Sequence, residues 1–249
     1  MEEKRNDIKI SGSGSLNGGE YGKVSISGSG KANGDILCTE FKCSGSAHAY
    51  GSIDSEKGIG CSGSMSCDGN MKSGETVSVS GSCKVQGNIK AQSVRISGSL
   101  KTENSLAADE ISISGSIRAK GNVEGEKIRI AGGGRIDGTL NGESIEIALC
   151  SSKLYAASIG GTTITVESRA AEQNFINRLF LNCFFGASDK DMLTSELIEG
   201  DTIDLNCTEC KTVRGKNVTI RENCKIGRVE YSESLTVEPG AAVTESEKM

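Results

Sequence analysis

The stretch Gly74–Ile89, GETVSVSGSCKVQGNI, holds the pattern that decides the fold of this chain. Val77 and Val79 alternate with polar residues, which is the period-two pattern of a half-buried strand. A corner of small residues follows, and Cys83 and Val85 then alternate in the same way. A second corner leads to a third short side. Because none of these strands is long enough to be stable alone, the unit must stack on copies of itself.

Copies of this unit recur along the chain. The first residue of the corner stands at Ser11, Ser27, Ser44, Ser62, Ser80, Ser97, Ser114 and Ala131, at intervals of 16 to 18 residues. A glycine follows seven places after each of them, except at Asn104, where we expect the left-handed backbone that Gly and Asn tolerate best. A fixed period near 17 with three short strands per turn predicts an all-β fold, the parallel β-helix, a type of β-solenoid.

The handedness of the helix follows from the length of its turns. Left-handed β-helices are built from hexapeptides, and steps of 15, 16 and 17 residues do not fit multiples of six. Parallel crossovers are right-handed by default, so we expect a right-handed β-helix. The stacked core positions are predicted to be Val77, Val79, Ile96, Ile113, Ile130, Ile147, Val218 and Ile220.

A second repeated signature, G-x-x-[IV]-x-[ILV], shows where the solenoid is interrupted. It occurs at Gly74, Gly125, Gly142, Gly161, Gly200 and Gly215. Ile164 and Ile203 occupy the same place in this signature, yet they are 39 residues apart, where one turn takes about 17. The excess predicts an insertion at 168–196. We therefore expect one solenoid domain over 10–243, with a disordered tail at 1–9, a stop at Pro239-Gly240 and a polar tail at 244–249.

The insertion has the pattern of an α-helix at about 169–185. Phe175, Ile176, Leu179, Phe180 and Cys183 fall on one helical face, which could pack on the flank of the solenoid. Leu181, Phe184 and Phe185 lie off that face. They are our candidates for contact with a membrane or a partner, and we rank them above the basic residues described below.

Composition limits the class of protein. The chain has 249 residues, a net charge of −5, 33 glycines and 1 proline, which suits a solenoid with tight corners and unbroken ladders. It has no apolar run of about 18 residues and no secretory signal, so we expect a cytoplasmic protein whose ten cysteines are reduced. The acidic balance argues against nucleic acid as a partner.

Few residues suggest chemistry. The single histidine, His48, has no obvious orienting partner, so a catalytic role is not expected. Cys207 and Cys210 form a C-x-x-C without a second pair. We expect core thiols there, with a metal or redox site as the alternative. No phosphate-binding glycine motif occurs, and we predict no cofactor.

One column of basic residues is repeated. Lys84, Lys101, Arg118 and Arg135 each stand four places after a corner residue, so they should stack about 4.8 Å apart. Two interpretations remain open. The column could be solvated charge that discourages lateral pairing, or it could be a stripe for an anionic surface such as lipid headgroups or an acidic partner.

These repeats resemble those of a known family. The turns VSISGSGKANGDI, VSVSGSCKVQGNI and IRIAGGGRIDGTLNGESIEI resemble the bactofilins, which are bacterial polymer-forming cytoskeletal proteins. The segment from ELIEGD to EPGAAV is similar to the closing segment of the longer bactofilin-like proteins of Gram-positive bacteria. The resemblance implies a right-handed β-helix that polymerises end to end without nucleotide. It offers no catalytic residues.

The expected function is therefore structural. We predict a non-enzymatic protein that assembles into a filament or scaffold for cell shape, polar organisation or motility. Its partner would be itself, with the inner face of the cell membrane, membrane-associated proteins or a paralogue as further partners. Two alternatives stay open, namely a β-helix enzyme acting on carbohydrate or an acyl donor, and a solenoid that serves as a binding module.

Overall fold

The computed structural model describes residues 5–149, 152–168 and 191–249. All regular secondary structure in these ranges is β-strand, and neighbouring strands pair in parallel. The chain divides into two compact units, residues 1–125 and 126–249, which are described separately. Each unit is a parallel β-solenoid, so the predicted all-β parallel solenoid is confirmed in the part of the chain that the structure describes.

Most strands of unit 1 are short and form three sides of each turn, although two near its start are 14 and 15 residues long. Its strands are β1 Ile8–Ile10, β2 Ser13–Ile26, β3 Ser29–Cys43, β4 Ser46–Ala49, β5 Ile53–Ser55, β6 Gly58–Cys61, β7 Ser64–Cys67, β8 Met71–Ser73, β9 Thr76–Val79, β10 Ser82–Val85, β11 Ile89–Ile96, β12 Ser99–Thr102, β13 Leu106–Ile113 and β14 Ser116–Ala119. Strand β15, Val123–Ile130, contains the division between the units.

The register of unit 1 follows the repeat. Val94 pairs with Val77 on one side and with Ile111 on the other, so residues one period apart lie side by side. Val77, Val94 and Ile111 are all buried. Each such side chain contributes roughly 1.5–3 kcal/mol when fully buried, and the next turn covers it. The predicted alternation and period are confirmed here.

Most corner glycines of unit 1 are needed for close approach between turns. A Cβ at Gly81 would overlap the carbonyl oxygen of Gly63 in the preceding turn. A Cβ at Gly87 would lie 2.7 Å from the oxygen of Gly69. In the glycine column seven places after the corner, only Gly34 has a left-handed φ among the described residues, at 111°. The prediction of a left-handed Asn104 is wrong, because Asn104 does not have a positive φ, and the corner is limited by space instead.

Unit 2 has longer strands that bend through the corners. They are β16 Gly133–Leu149, β17 Lys153–Ser168, β18 Met192–Leu205, β19 Thr208–Ile220, β20 Lys225–Val237 and β21 Ala242–Lys248. Ile203 pairs with Ile164 and with Val218, and Val218 pairs with Leu235. These are the correspondences that the repeated signature predicts, including the step of 39 residues.

The described residues on either side of the predicted insertion meet at one corner of unit 2. Strand β17 ends at Ser168 and β18 begins at Met192, which pairs with Lys153. The Ser168 hydroxyl donates a hydrogen bond of 2.9 Å to Asp191 Oδ2, so the two ends of the interruption are joined. The predicted helix at about 169–185, with Leu181, Phe184 and Phe185, lies outside the described residues.

Both ends of the chain contribute more strand than the sequence predicts. Strand β1 begins at Ile8, inside the expected tail at 1–9, and pairs with β2. Strand β21 runs to Lys248, through the expected tail at 244–249, and pairs with β20. Pro239-Gly240 is therefore a corner and not a stop, with Gly240 at a φ of 90°. Main-chain hydrogen bonds to the neighbouring turn order both segments, and the sequence of β21 lacks a clear apolar alternation.

Candidate functional site

The outward residues of one side of unit 1 form a flat surface, which we call face A. Face A comprises the outward residues of two segments, Ser13–Asn17 and Ser29–Asn33, and of five strands, β4, β7, β10, β12 and β14. It also includes the single residue that directly follows each of these five strands. Lys84 pairs with Lys101, and Lys101 pairs with Arg118. The same column continues through Ser66, His48 and Lys31. Three predicted members of the basic column thus stack on consecutive turns.

The charges on face A are only partly compensated. Glu103 accepts hydrogen bonds from Lys101 at 2.7 Å and from Lys120 at 2.5 Å. These two bonds lower the pKa of Glu103 to about 2, so the carboxylate stays ionised at any physiological pH. Lys84 and Arg118 are exposed and have no ion-pair partner among the described residues. Face A therefore presents free positive charge.

Arg135, the fourth predicted member of the column, lies in unit 2 and has a different environment. Its guanidinium carbon is 4.0 Å from the centroid of the Tyr155 ring, with which it pairs in register. Its Nε is 2.5 Å from Asp137 Oδ1. The charge of Arg135 is thus engaged within its own unit, in contrast to Lys84 and Arg118.

His48 has an orienting partner that the sequence did not reveal. Its Nε2 is 2.9 Å from Asp68 Oδ2, and its ring stacks on Tyr50 with centroids 4.2 Å apart. Asp68 stands 20 residues away and is brought close by the stacking of turns. The neighbour of His48 on the next turn is Ser66, but no hydrogen bond joins these two among the described residues. The prediction that His48 lacks an orienting partner is therefore wrong. The histidine nevertheless lies on an open face of the sheet.

A ladder of side-chain hydrogen bonds runs up one corner of unit 1. The residue after the corner glycine or Asn104 is Asp, Ser or Asn in six consecutive turns of unit 1, and each of the first five side chains accepts the backbone N–H of the equivalent residue one turn later. The members are Asp35, Ser52, Asn70, Asn88, Ser105 and Asn122. Sequence reasoning missed this ladder, although the repeated small polar residue was a signal for it.

The C-x-x-C cysteines occupy two different places. Cys210 points inward and donates to the Thr212 carbonyl at 3.1 Å, and burial raises the pKa of its thiol to about 11. Cys207 lies at a corner with a φ of 49°, and burial raises its pKa as well. In the described ranges, no group of three or more His, Cys, Asp or Glu residues is placed to hold a metal ion.

Unit 2 has a shallow groove of about 420 Å³ along a glycine corner. Gly161, Gly200 and Gly215 pair in register and form its floor. Its rim includes Asp201, which pairs with Lys216 at 2.9 Å. The glycines are required by the corner, since a Cβ at Gly215 would lie 2.8 Å from the Gly200 oxygen. The groove thus follows from close packing of turns.

The core positions predicted from the sequence are all inside. Val77, Val79, Ile96, Ile113, Ile130, Ile147, Val218 and Ile220 are at most 1% exposed. Val237 follows Ile220 in the same inward column but is 44% exposed. The difference arises because β20 is covered on one edge only at this position. The last turn of unit 2 therefore exposes part of a core.

The outer edges of the terminal strands also carry unpaired backbone groups. Strand β21 pairs with β20, and within the described ranges no strand pairs with its other edge. The segment Ser13–Asn17 of β2 likewise pairs with β3 alone. Open edges of this kind are templates for pairing with another chain.

No helix in the described ranges reaches the length and apolar character that crossing a bilayer requires.

Comparison with known proteins supports the resemblance noted in the sequence. Residues 44–141 match the family model "Bactofilin", described as polymer-forming cytoskeletal, and this match and the parallel solenoid fit that family. The chain is 37% identical over 103 residues to "Uncharacterized protein YhbE" and 36% identical over 95 residues to "Uncharacterized protein YhbF", both of Bacillus subtilis (strain 168). These matches cover 41% and 38% of the chain and only 40% and 35% of the two relatives. No solved structure matches the chain.

Proposed function

Since the matched stretch and the solenoid fit a polymer-forming cytoskeletal family, we propose that this protein is a non-enzymatic structural element that assembles end to end into a filament. Such a filament would act in the cytoplasm as a scaffold for cell shape, polar organisation or motility. A right-handed winding, as the turn length predicts, is part of this proposal.

The observation that carries the proposal is the exposure of Val237 at the end of unit 2. Its column is otherwise buried, and a further turn from a second copy would bury it as Ile220 is buried. The same contact would pair the free edge of β21. Burial of apolar surface and pairing of backbone groups both favour association, so assembly needs no nucleotide hydrolysis.

A matched pair of substitutions tests the proposal. Wild-type protein without ATP or GTP should form filaments in negative-stain microscopy and should sediment at high speed. Val237→Lys places a charge at the exposed end of the apolar column and should abolish filaments. Thr236→Lys places the same charge at the adjacent outward position, which is exposed, and should leave them intact.

The proposal would fail if the wild-type chain were monomeric at high micromolar concentration in physiological buffer. It would also fail in its present form if both lysine variants assembled as the wild type does, because the end of unit 2 would then not be the contact.

Co-assembly with a second bactofilin-like chain is a natural extension. Parallel solenoids share a rung spacing of about 4.8 Å, so the end of one can cover the end of another. Bacillus subtilis, for example, has two relatives of this chain. Mixed filaments could be detected by co-sedimentation of two differently tagged chains.

A further inference from the structure

Face A differs in charge from the rest of the protein. Its outward positions include the cations Lys31, Lys84, Lys101, Arg118 and Lys120 and the carboxylates Asp68 and Glu103. The face thus carries a net charge of +3, whereas the whole chain carries −5. Two of the three cations on consecutive turns, Lys84 and Arg118, have no ion-pair partner among the described residues.

The shape of face A suits a planar partner. Lys84, Lys101 and Arg118 are in direct register, which places them in a straight line at about 4.8 Å per turn. Lys31 lies in the same column, five turns from Arg118 and about 24 Å along it. The column beside them consists of exposed serines, Ser82, Ser99 and Ser116, whose side chains are short. On that side the cations are therefore flanked by short, uncharged side chains.

We propose that face A is a docking surface for a membrane of anionic phospholipid. Lysine and arginine near such a surface are attracted by the headgroup phosphates, and a line of cations on a flat face can reach one plane together. A folded protein partner would instead be expected to seat apolar or aromatic anchors in its interface. The large exposed hydrophobic residue on face A is Tyr50, which is stacked on His48.

This inference rests on the proposed scaffold function in one respect. A single copy offers few cations, and their attraction is screened within about 8 Å at physiological salt. In a filament each copy repeats the column, so many weak contacts act together and raise the effective affinity. Membrane binding should therefore be strong for filaments and should weaken as salt increases.

The test is flotation of the full chain with vesicles. Wild-type filaments should float with vesicles of phosphatidylcholine and phosphatidylglycerol and should not float with phosphatidylcholine alone. Lys84→Glu/Arg118→Glu reverses the two unpaired cations and leaves the Lys101–Glu103 contact in place. The bound fraction should fall by about tenfold or more. Lys90→Glu/Arg95→Glu makes the same charge change at exposed positions on the other two sides, and the bound fraction should stay within about twofold of wild type.

Filament formation is measured for every variant in parallel, so that the two proposals are separated. Wild-type filaments that do not float with anionic vesicles would overturn the docking surface while leaving the scaffold function in place. The inference would also be overturned if both charge variants lost binding equally, or if Phe184→Ser/Phe185→Ser abolished binding while Lys84→Glu/Arg118→Glu retained it. If the wild-type protein forms no filaments, that result would instead contradict the proposed function.

Discussion

Asn70 Oδ1 accepts a hydrogen bond of 2.8 Å from the backbone N–H of Asn88, the equivalent residue one turn later. Asn88 Oδ1 in turn accepts the N–H of Ser105 at 3.3 Å, and Ser52 Oγ accepts the N–H of Asn70 at 3.1 Å. Each corner thus satisfies a backbone donor of the next one. Because every bond joins two turns, the ladder fixes both the register and the direction of stacking.

Removal of one rung of this ladder should weaken unit 1. Asn70→Ala leaves the Asn88 N–H without its acceptor, and we expect the free energy of unfolding to fall by about 1 kcal/mol. Asn33→Ala is the control, since Asn33 is exposed on face A. Urea denaturation followed by circular dichroism would measure both. Equal stability of the two variants would mean that water replaces the side-chain acceptor without cost.

Gly81 is expected to be far less tolerant than other glycines. A Cβ there would overlap the Gly63 oxygen, so Gly81→Ala must push neighbouring turns apart and should cost more than about 2 kcal/mol. Gly60 is the matched control, because a Cβ there meets nothing closer than 3.8 Å, at Lys42. Gly60→Ala should be neutral or slightly stabilising. A similar loss of thermal midpoint in both variants would contradict close packing at the corner.

The fold could be predicted from the sequence because every turn of a solenoid repeats the same residue pattern. One turn with Val77 and Val79 is ambiguous, but the same alternation at one fixed period can be satisfied only by stacking. The 39-residue step from Ile164 to Ile203 could be recognised as an insertion for the same reason, since both residues keep their place in the pattern. Periodicity also identified Lys84, Lys101 and Arg118 as neighbours.

The features that could not be predicted depend on contacts between turns, which the sequence of a single repeat does not specify. The partner of His48 is Asp68 on the next turn, one column away, and spacing alone does not show which side chains meet. The repeated corner glycines suggest an unusual φ, whereas steric overlap with the preceding turn requires most of them. Strand β21 was missed because its pairing uses main-chain groups, which leave no apolar pattern in TESEKM.

Inward positions should reject a charge that outward positions accept. Ile130→Asp and Val218→Asp each place a carboxylate in a buried apolar column and should cost at least about 3 kcal/mol or prevent folding. Thr163→Asp makes the equivalent change at an exposed position and should cost less than about 0.5 kcal/mol. Cys83→Ala, which leaves only a small void, should cost about 1 kcal/mol. Thermal midpoints at one protein concentration would rank the four variants, and a normal midpoint for Ile130→Asp would contradict the assignment of the core.

The buried thiols should make the protein sensitive to alkaline pH. Burial raises the pKa of the thiols of Cys38, Cys67, Cys210 and Cys224 from 9.0 to about 11. Between these values the unfolded chain releases protons that the folded chain retains, so stability is complete below about pH 9 and falls as the pH rises towards 11. At pH 10 each of these thiols should lower the free energy of unfolding by about 1 kcal/mol.

Cys67→Ala/Cys210→Ala removes two of these groups and isolates their effect from the titration of lysine and tyrosine. The drop in unfolding free energy between pH 8 and pH 10 should be smaller in this variant than in wild type by about 2 kcal/mol. A second measurement uses a thiol reagent at pH 8 on a Cys150→Ser/Cys183→Ser background, in which the remaining cysteines should react only as the chain unfolds. Rapid reaction of the native protein, or the same alkaline drop with and without Cys67 and Cys210, would show that these thiols are not held protonated in the core.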